Sequence, residues 1–569
     1  MIPVSSVVVV ALATVLIGVY GQRVARTTSD FLVASRSVTP GWNASAISGE
    51  YLSAASFLGI AGLIMKDGLG MLWYPIGYTA GYLLLLLFVA APLRRFGAYT
   101  IPDFAEGRLD SPALRRVATV LVLFIGWFYL LPQLKGAGIT LTVLVGAPYW
   151  VGVVVVGVVV TVNIALGGMK GITFVQAFQY WVKITAIALP AIVLLLWVQG
   201  THLGKLESPR TPVFPVATSV AVKTSVRFVV TTPVTISGTG TLDGVPVGPA
   251  TDLTVGTHRV EAGSVLDFPA GSTVPHVTGL TPQTGIQWSR PFGSSTSHHP
   301  LFFTYSLILA TFLGTMGLPH ILVRFYTNPD GRAARRTTLI VLALLSVFYL
   351  FPVVFGVLGR LSTPELYLTG QTDAVVLIVP GRLIGGLGGD VLTGLVAAGA
   401  VAAFLSTSSG LMISVAGGIS HDLFRGSVRT FKLATLAVGA VAIALGLRVA
   451  QLDINVLVGW AFAIAASSFC PLLVLGIWWR GLTAPGAAAG LLVGGGTASA
   501  AVVVTIAGYT PGGWPGDLLS QPAAWTVPLA FATMVAVSLM TKRSAPSNVA
   551  GKMLAMHLPE ALRLSREAA

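Results

Sequence analysis

Long apolar runs separated by short polar and basic clusters fill most of the chain. A helix needs about 20 apolar residues to cross a bilayer core. Thirteen runs meet that criterion: 3–21, 42–65, 71–91, 117–146, 149–167, 172–198, 301–322, 337–359, 391–417, 430–447, 455–479, 484–507 and 523–541. The runs at 42–65 and 391–417 are the least uniformly apolar. The first run lacks a basic n-region and a small-residue cleavage site, and Arg23 and Arg26 follow it. It therefore reads as a retained helix and not as a signal peptide. One stretch, 199–298, breaks the pattern. It is rich in Thr, Val, Ser, Gly and Pro, with β-branched runs such as Val226–Ile236, and predicts a small β-rich extracellular insert. The expected organisation is an all-α polytopic membrane protein with helices 1–6 in 1–198, the insert in 199–298, helices 7–13 in 299–541 and a cytoplasmic tail in 542–569.

Composition sharpens this picture. The chain has 569 residues, of which 54% are hydrophobic and 9% charged; soluble domains carry about 25% charged residues. Its net charge of +14 does not point to nucleic acid, because the basic residues cluster between apolar runs. Arg23, Arg26, Arg36, Arg94, Arg95, Arg108, Arg115, Arg116, Lys170, Arg324, Arg332, Arg335, Arg336, Arg425, Arg429, Lys432, Arg480 and the tail's Lys542, Arg543, Lys552, Arg563 and Arg566 all fall on one side if the N-terminus lies outside. The other side's short loops hold only Lys66, Arg360, Arg382 and Arg448. That bias predicts N-out, C-in in an inner (plasma) membrane. The single cysteine, Cys470, excludes a disulfide framework. No HExxH, P-loop, Gly-x-Ser-x-Gly elbow or Cys/His cluster is present, so no enzyme chemistry is expected and movement of a solute must draw on a gradient. His298-His299 and His421-Asp422 read as surface residues.

Ionisable groups at membrane depth are costly and commonly functional. Glu50, Lys135 and Lys183 stand out in the second, fourth and sixth runs. The expectation is a Glu50–Lys183 pair, with Lys135 lining a watery cavity and available to an anionic substrate; the alternative is that both lysines snorkel or lock helices together. The second run, Asn43 to Gly59, is filled with small and hydroxylated residues, and a break around Gly49 would free carbonyl oxygens suited to Na⁺. Ser406 and Thr407, in Ala403-Phe404-Leu405-Ser406-Thr407, would add hydroxyl oxygens unless they serve helix packing. Gly314-Thr315-Met316-Gly317-Leu318-Pro319-His320 predicts a second interruption. Counting from the second run to the seventh gives five helices per unit, an odd number, so the second unit enters the membrane inverted. Interrupted helices at matching positions of inverted units point to a transporter binding site.

The strings Asp30–Arg36, Ile47–Gly59, Gly314–His320 continuing to Arg324-Phe325-Tyr326, and Ala403–Thr407 resemble the sodium:solute symporter family, and within it the acetate permease (cation/acetate symporter) branch. The resemblance covers nearly the whole chain apart from the insert and the tail. It implies a leucine-transporter-like fold of about thirteen helices with an inverted five-helix repeat. It also implies a Na⁺ site on the carbonyls of Gly49, Leu52 and Ala403 and the hydroxyls of Ser406 and Thr407. The substrate cavity would lie near Ser53, Gln133, Thr315 and Gly317, and the expected cargo is a short monocarboxylate such as acetate, propionate or pyruvate. Two departures bear on coupling. Glu50 stands where the branch has aspartate, and Lys183 lies close to where some relatives of the fold place a lysine in lieu of sodium, so protons are the alternative to Na⁺. A transporter-like sensor is the other alternative.

Overall fold

A computed structural model of the protein describes residues 2–24, 38–200, 211–280, 283–292, 297–424, 427–450, 452–509 and 511–559. The motif Asp30–Arg36 and the basic residues Arg26, Arg425, Arg563 and Arg566 lie outside the described residues. Ten helices among the described residues are long and apolar enough to cross a membrane, and the pair Pro40–Tyr51 with Ala55–Asp67, bent by 67°, makes an eleventh span. The chain is a multi-pass membrane protein. The expected runs at 3–21 and 149–167 lie in the helices Ile2–Val24 and Tyr149–Val198 and are not among the spans counted, so the count of thirteen is not confirmed.

Nine helices build the centre, numbered here in chain order. They are α1 (Pro40–Tyr51), α2 (Ile60–Asp67), α3 (Trp73–Leu84), α4 (Pro112–Val145), α5 (Tyr149–Val198), α6 (Pro300–Gly317), α7 (Pro319–Phe325), α8 (Gly386–Gly417) and α9 (Ile454–Trp478). The most apolar stretch of α9 is 89% buried, whereas that of the helix Ala523–Met540 is 33% buried, which separates core from lipid-facing helices. The 50 residues of α5 would extend about 75 Å if straight, more than two bilayer cores, so this helix accommodates both runs expected there. Glycine and alanine dominate α8 and let its backbone approach its neighbours closely. A Cβ at Gly399 would meet the ring of Phe57, and one at Gly410 would overlap the Glu50 carboxylate.

Both expected interruptions are present. Leu318 is extended (φ −73°, ψ 116°) between α6 and α7, as the residue before Pro319 should be. The other break falls at Leu52-Ser53, three residues beyond the expected Gly49. Gly49 instead sits inside α1, where a Cβ would overlap the Gln176 carbonyl oxygen. Its glycine therefore serves close packing.

The insert folds as two antiparallel sheets. The strands are β1 (Thr218–Ala221), β2 (Val226–Val230), β3 (Val234–Thr239), β4 (Thr241–Leu242), β5 (Val245–Pro246), β6 (Thr251–Leu253), β7 (Gly256–Val260), β8 (Val265–Phe268) and β9 (His276–Val277). Their spatial orders are β1-β8-β3-β6 and β5-β4-β7-β2-β9. Alternating residues such as Phe228, Val230, Leu266 and Phe268 form its small core. The insert is tied to the bundle at several points. Lys223 donates to the Thr142 carbonyl at 2.8 Å, near the end of α4. The Trp288 indole donates to the carbonyls of Ile64 (2.7 Å) and Met65 (3.0 Å), and Tyr367 donates to the Met65 carbonyl. The Ile64 carbonyl also accepts from the Gly68 N–H (3.0 Å), and both carbonyls lie in the last turn of α2, where intrahelical donors run out. Trp288 is itself buried under the Arg360 guanidinium, 5.1 Å from the ring centre.

At the start of α4, the opposite end of the molecule, Arg115 clamps Asp422 (2.8 Å) and Glu106 (2.6 Å). The two histidine motifs have structural partners: His421 lies 2.7 Å from Arg115, and His299 bonds Asp517 at 2.8 Å. Replacing the buried Trp288 by alanine should destabilise the protein by about 3–5 kcal/mol. Trp288→Phe, which loses the N–H but keeps a ring, should fall between. The thermal midpoint of purified protein checks both.

Candidate functional site

The break between α1 and α2 exposes backbone groups that a continuous helix would pair. Freed donors are taken by polar side chains: the Ala54 N–H donates to Gln133 Oε1 (2.8 Å) and the Ala55 N–H to Ser53 Oγ (3.2 Å). Freed acceptors are taken by a lysine nitrogen. Lys183 Nζ, from α5, donates to the carbonyl of Gly49, to that of Leu52 (2.7 Å) and to Ser406 Oγ (2.5 Å). Ser406 Oγ lies 3.1 Å from the Ala403 carbonyl, and Thr407 Oγ1 donates to the Glu50 carbonyl at 2.5 Å. Lys183 Nζ thus meets the carbonyls of Gly49 and Leu52 and the Ser406 hydroxyl, whereas Ala403 is reached only through Ser406 and Thr407 bonds the Glu50 carbonyl.

The expected Glu50–Lys183 pair is not formed. Glu50 pairs with Arg324, one turn after the α6–α7 break, at 2.7 Å, and both side chains are about 1% exposed. The guanidinium also donates to Thr173 Oγ1 (2.9 Å) and to Gln176 Oε1, while Gln176 Nε2 donates to the Ser406 carbonyl (2.8 Å). Asn43 Nδ2 donates back to the Arg324 carbonyl at 3.1 Å. A planar fork that satisfies three acceptors at once outcompetes a lysine for the carboxylate. Lys183 finds carbonyl dipoles instead. Both glutamate and arginine are buried, and the two broken helices are joined through them.

Lys135 does not face the breaks. It follows Gln133 by two residues, about 200° around the helix, and so points away from it. It is held by Asp373 (3.2 Å) and by the Leu452 carbonyl. It lines a pocket at the seam with the insert, opposite Thr224, Ser225 and Gln371. Beside it, Lys66 pairs with Asp453 at 2.7 Å. Thr315 Oγ1 is 2.9 Å from the Tyr51 hydroxyl, and Gly317 packs on the Ala465 carbonyl oxygen, where a Cβ would stand 2.5 Å away. Ser53, Gln133 and Thr315 therefore surround the breaks, whereas Lys135 does not.

Comparison with known proteins fits this geometry. The family profile described as "Sodium:solute symporter family" matches residues 31–222 and 259–494. The chain belongs to the sodium:solute symporter family. The profile's gap falls within the insert. Among members, the chain is 31% identical over 535 residues to the uncharacterized symporter YwcA of Bacillus subtilis, covering 91% of this chain and 90% of that protein. It is 30% identical over 537 residues to a monocarboxylic acid transporter of Corynebacterium glutamicum, covering 90% of this chain and 86% of that protein. In fold it is similar to a Na⁺-coupled sialic acid symporter solved in a substrate-bound, outward-open state (TM-score 0.62, 14% identity, covering 94% of this chain and 98% of that one). This symporter-family chain is thus a membrane solute symporter of helical, leucine-transporter-like fold, and its family supports Na⁺ as a coupling ion.

Arg324 was not singled out from the sequence, where it counts as one more basic residue of a cytoplasmic cluster. Its spacing was the available signal: it lies four residues after His320, one helical turn beyond the break. Removing one member of the buried pair should cost about 3–5 kcal/mol. Glu50→Gln and Arg324→Gln should each lower the thermal midpoint sharply, and the double variant should recover part of the loss, as a double-mutant cycle on purified protein would read out.

Proposed function

We propose that the protein is a cation-coupled symporter that brings a short monocarboxylate into the cell by alternating access. The observation that carries this reading is the cation cradle at the α1–α2 break, built from the carbonyls of Gly49 and Leu52 and the hydroxyl of Ser406. Its donors are hard oxygens on two separate helices, so a cation held there joins α1 to α8. Binding from the side bearing the insert, rocking of one group of helices against the other, and release at the opposite side complete the cycle. With the N-terminus outside and the C-terminus inside, as the basic residues favour, cation entry is driven by the membrane potential at about 2.3 kcal/mol per charge per 100 mV. The monocarboxylate assignment is supported by the resemblance to the acetate permease branch and by the Corynebacterium glutamicum relative's name.

Na⁺ is the family's ion, and in this chain it would enter the cradle once Lys183 withdraws. One observation favours a second reading. Lys183 Nζ already makes contacts a sodium ion would make, so protonation of Lys183 can itself supply the coupling charge.

Uptake of labelled acetate, propionate and pyruvate into proteoliposomes separates the readings. Under Na⁺ coupling, an imposed Na⁺ gradient drives accumulation that Ser406→Ala and Thr407→Ala abolish. Under proton coupling, a pH gradient alone drives it, and Lys183→Gln reduces it at least tenfold. Absence of accumulation under both gradients would overturn the symporter of monocarboxylates.

A further inference from the structure

Away from the breaks, a groove runs under the insert along its seam with the helices. Its outer part is a cavity of about 270 Å³. One wall is the connection between β1 and β2, with Lys223 and Thr224; the other carries Glu365, Gln371 and Arg382. Thr224 and Gln371 also line the pocket that ends at Lys135 and Asp373, so the two spaces adjoin. The inner end thus reaches α4 two residues from Gln133, which holds the Ala54 N–H at the break.

The charges along this groove do not balance. Arg382 is paired with Glu365, and Lys135 with Asp373 at 3.2 Å. Lys223 meets no acid among the described residues. Its ammonium donates to the Thr142 carbonyl at 2.8 Å and has two further N–H donors. One positive charge at the mouth of the groove is left uncompensated. Desolvation on the bundle side pulls Lys223 below the usual lysine range, and an anion beside it would offset that cost. Thr224 and Gln371 carry uncharged donors on facing walls, a second and third point of contact for a planar carboxylate. The family profile stops at residue 222 and resumes at 259. Lys223 and Thr224 therefore stand in a stretch that the shared family pattern does not describe.

We infer that this groove is an outer anion site, in which Lys223 captures a short carboxylate under the insert before it moves inward. That the anion is the transported acid rests on the symporter reading; that the site takes an anion rests on the groove. A water molecule fills about 30 Å³ of liquid, so an acid of two or three carbons enters the cavity together with hydration waters. A single solvent-facing ammonium holds such an ion loosely, which suits capture followed by release. Its field raises the local concentration of the anion and its rate of encounter, and salt screens the effect.

Lys223→Gln removes the charge and keeps an N–H for the Thr142 carbonyl, so the ligand-free thermal midpoint should not move. In proteoliposomes the KM for labelled acetate should rise about threefold or more at an unchanged maximal rate. Lys223→Arg should stay close to wild type. The wild-type KM should climb from low to physiological salt, while that of Lys223→Gln stays flat. An unchanged KM, a rise that salt does not affect, or a midpoint that falls with uptake would each overturn the inference. A second arm needs no transport. Cys470 is buried and is the single cysteine of the chain, so Thr224→Cys places an accessible thiol in the groove. Replacing chloride by acetate at constant ionic strength should slow its modification by a negatively charged thiol reagent. Adding Lys223→Gln should remove that protection. Equal rates in acetate and chloride would overturn the site even if the wild type transports acetate. Protection in a wild type that takes up none of the acids would uphold the anion site and sink the symporter reading instead.

Discussion

An ion in the hydrocarbon layer must carry its solvation with it, and the centre of this protein is arranged around that requirement. Arg324, Glu50 and Lys183 lie at the crossing of α1, α5, α7 and α8, and each charge is met by groups from other helices. The Arg324 guanidinium is the keystone. It neutralises Glu50, reaches Thr173 and Gln176 on α5, and its own carbonyl receives Asn43 from α1. Because Gln176 then donates to the Ser406 carbonyl, the position of the cradle hydroxyl depends on a residue of the other broken helix. Stability and the geometry of the cation site are set by the same network. That is why glycine is required at position 410: any Cβ there would displace the Glu50 carboxylate.

Much of this was legible in the sequence, and the reasons are specific. The α6–α7 break announces itself because proline cannot extend a helix and restricts the residue before it. The small, hydroxylated composition of residues 43–59 marked the other broken span, though not its register, since Gly49 proved to be a packing glycine and the break lies at Leu52-Ser53. The strands of the insert followed from β-branched runs punctuated by glycine and proline. Partner choice was the part that could not be read. Backbone carbonyls carry no sequence signature, so matching Lys183 to the nearest buried acid was the natural expectation, and it failed. Likewise Asp373, the partner of Lys135, stands in a loop whose approach to α2 depends on Gly62, where a Cβ would come within 2.8 Å of the Asp373 backbone.

The insert takes part in the same mechanics. The second half of the broken span ends in carbonyls capped by Trp288 and Tyr367, and its last turn carries Lys66, bound to Asp453 at the start of α9. Lys135–Asp373 adds a buried tie alongside. Any opening on this side must break charge-assisted bonds and uncap a helix end together, so the closed arrangement is held by several coupled contacts and releases as a unit. A sheet domain that supplies one of those caps is well placed to set how readily this side opens.

Charge balance at the centre bears on the proposed coupling. Glu50 and Arg324 cancel, so the remaining charge at the centre is that of the cation in the cradle, either Na⁺ beside a neutral lysine or the lysine protonated. On the proposed reading, a monocarboxylate bound beside the breaks brings one negative charge. The loaded centre is then neutral, and so is the centre with both cation and anion gone. A centre holding the anion alone would be charged, which the low dielectric opposes strongly. A centre holding the cation alone would be charged as well, so on the proposed reading a carrier that moves readily only in its neutral forms would carry the two together, and coupling would follow from electrostatics.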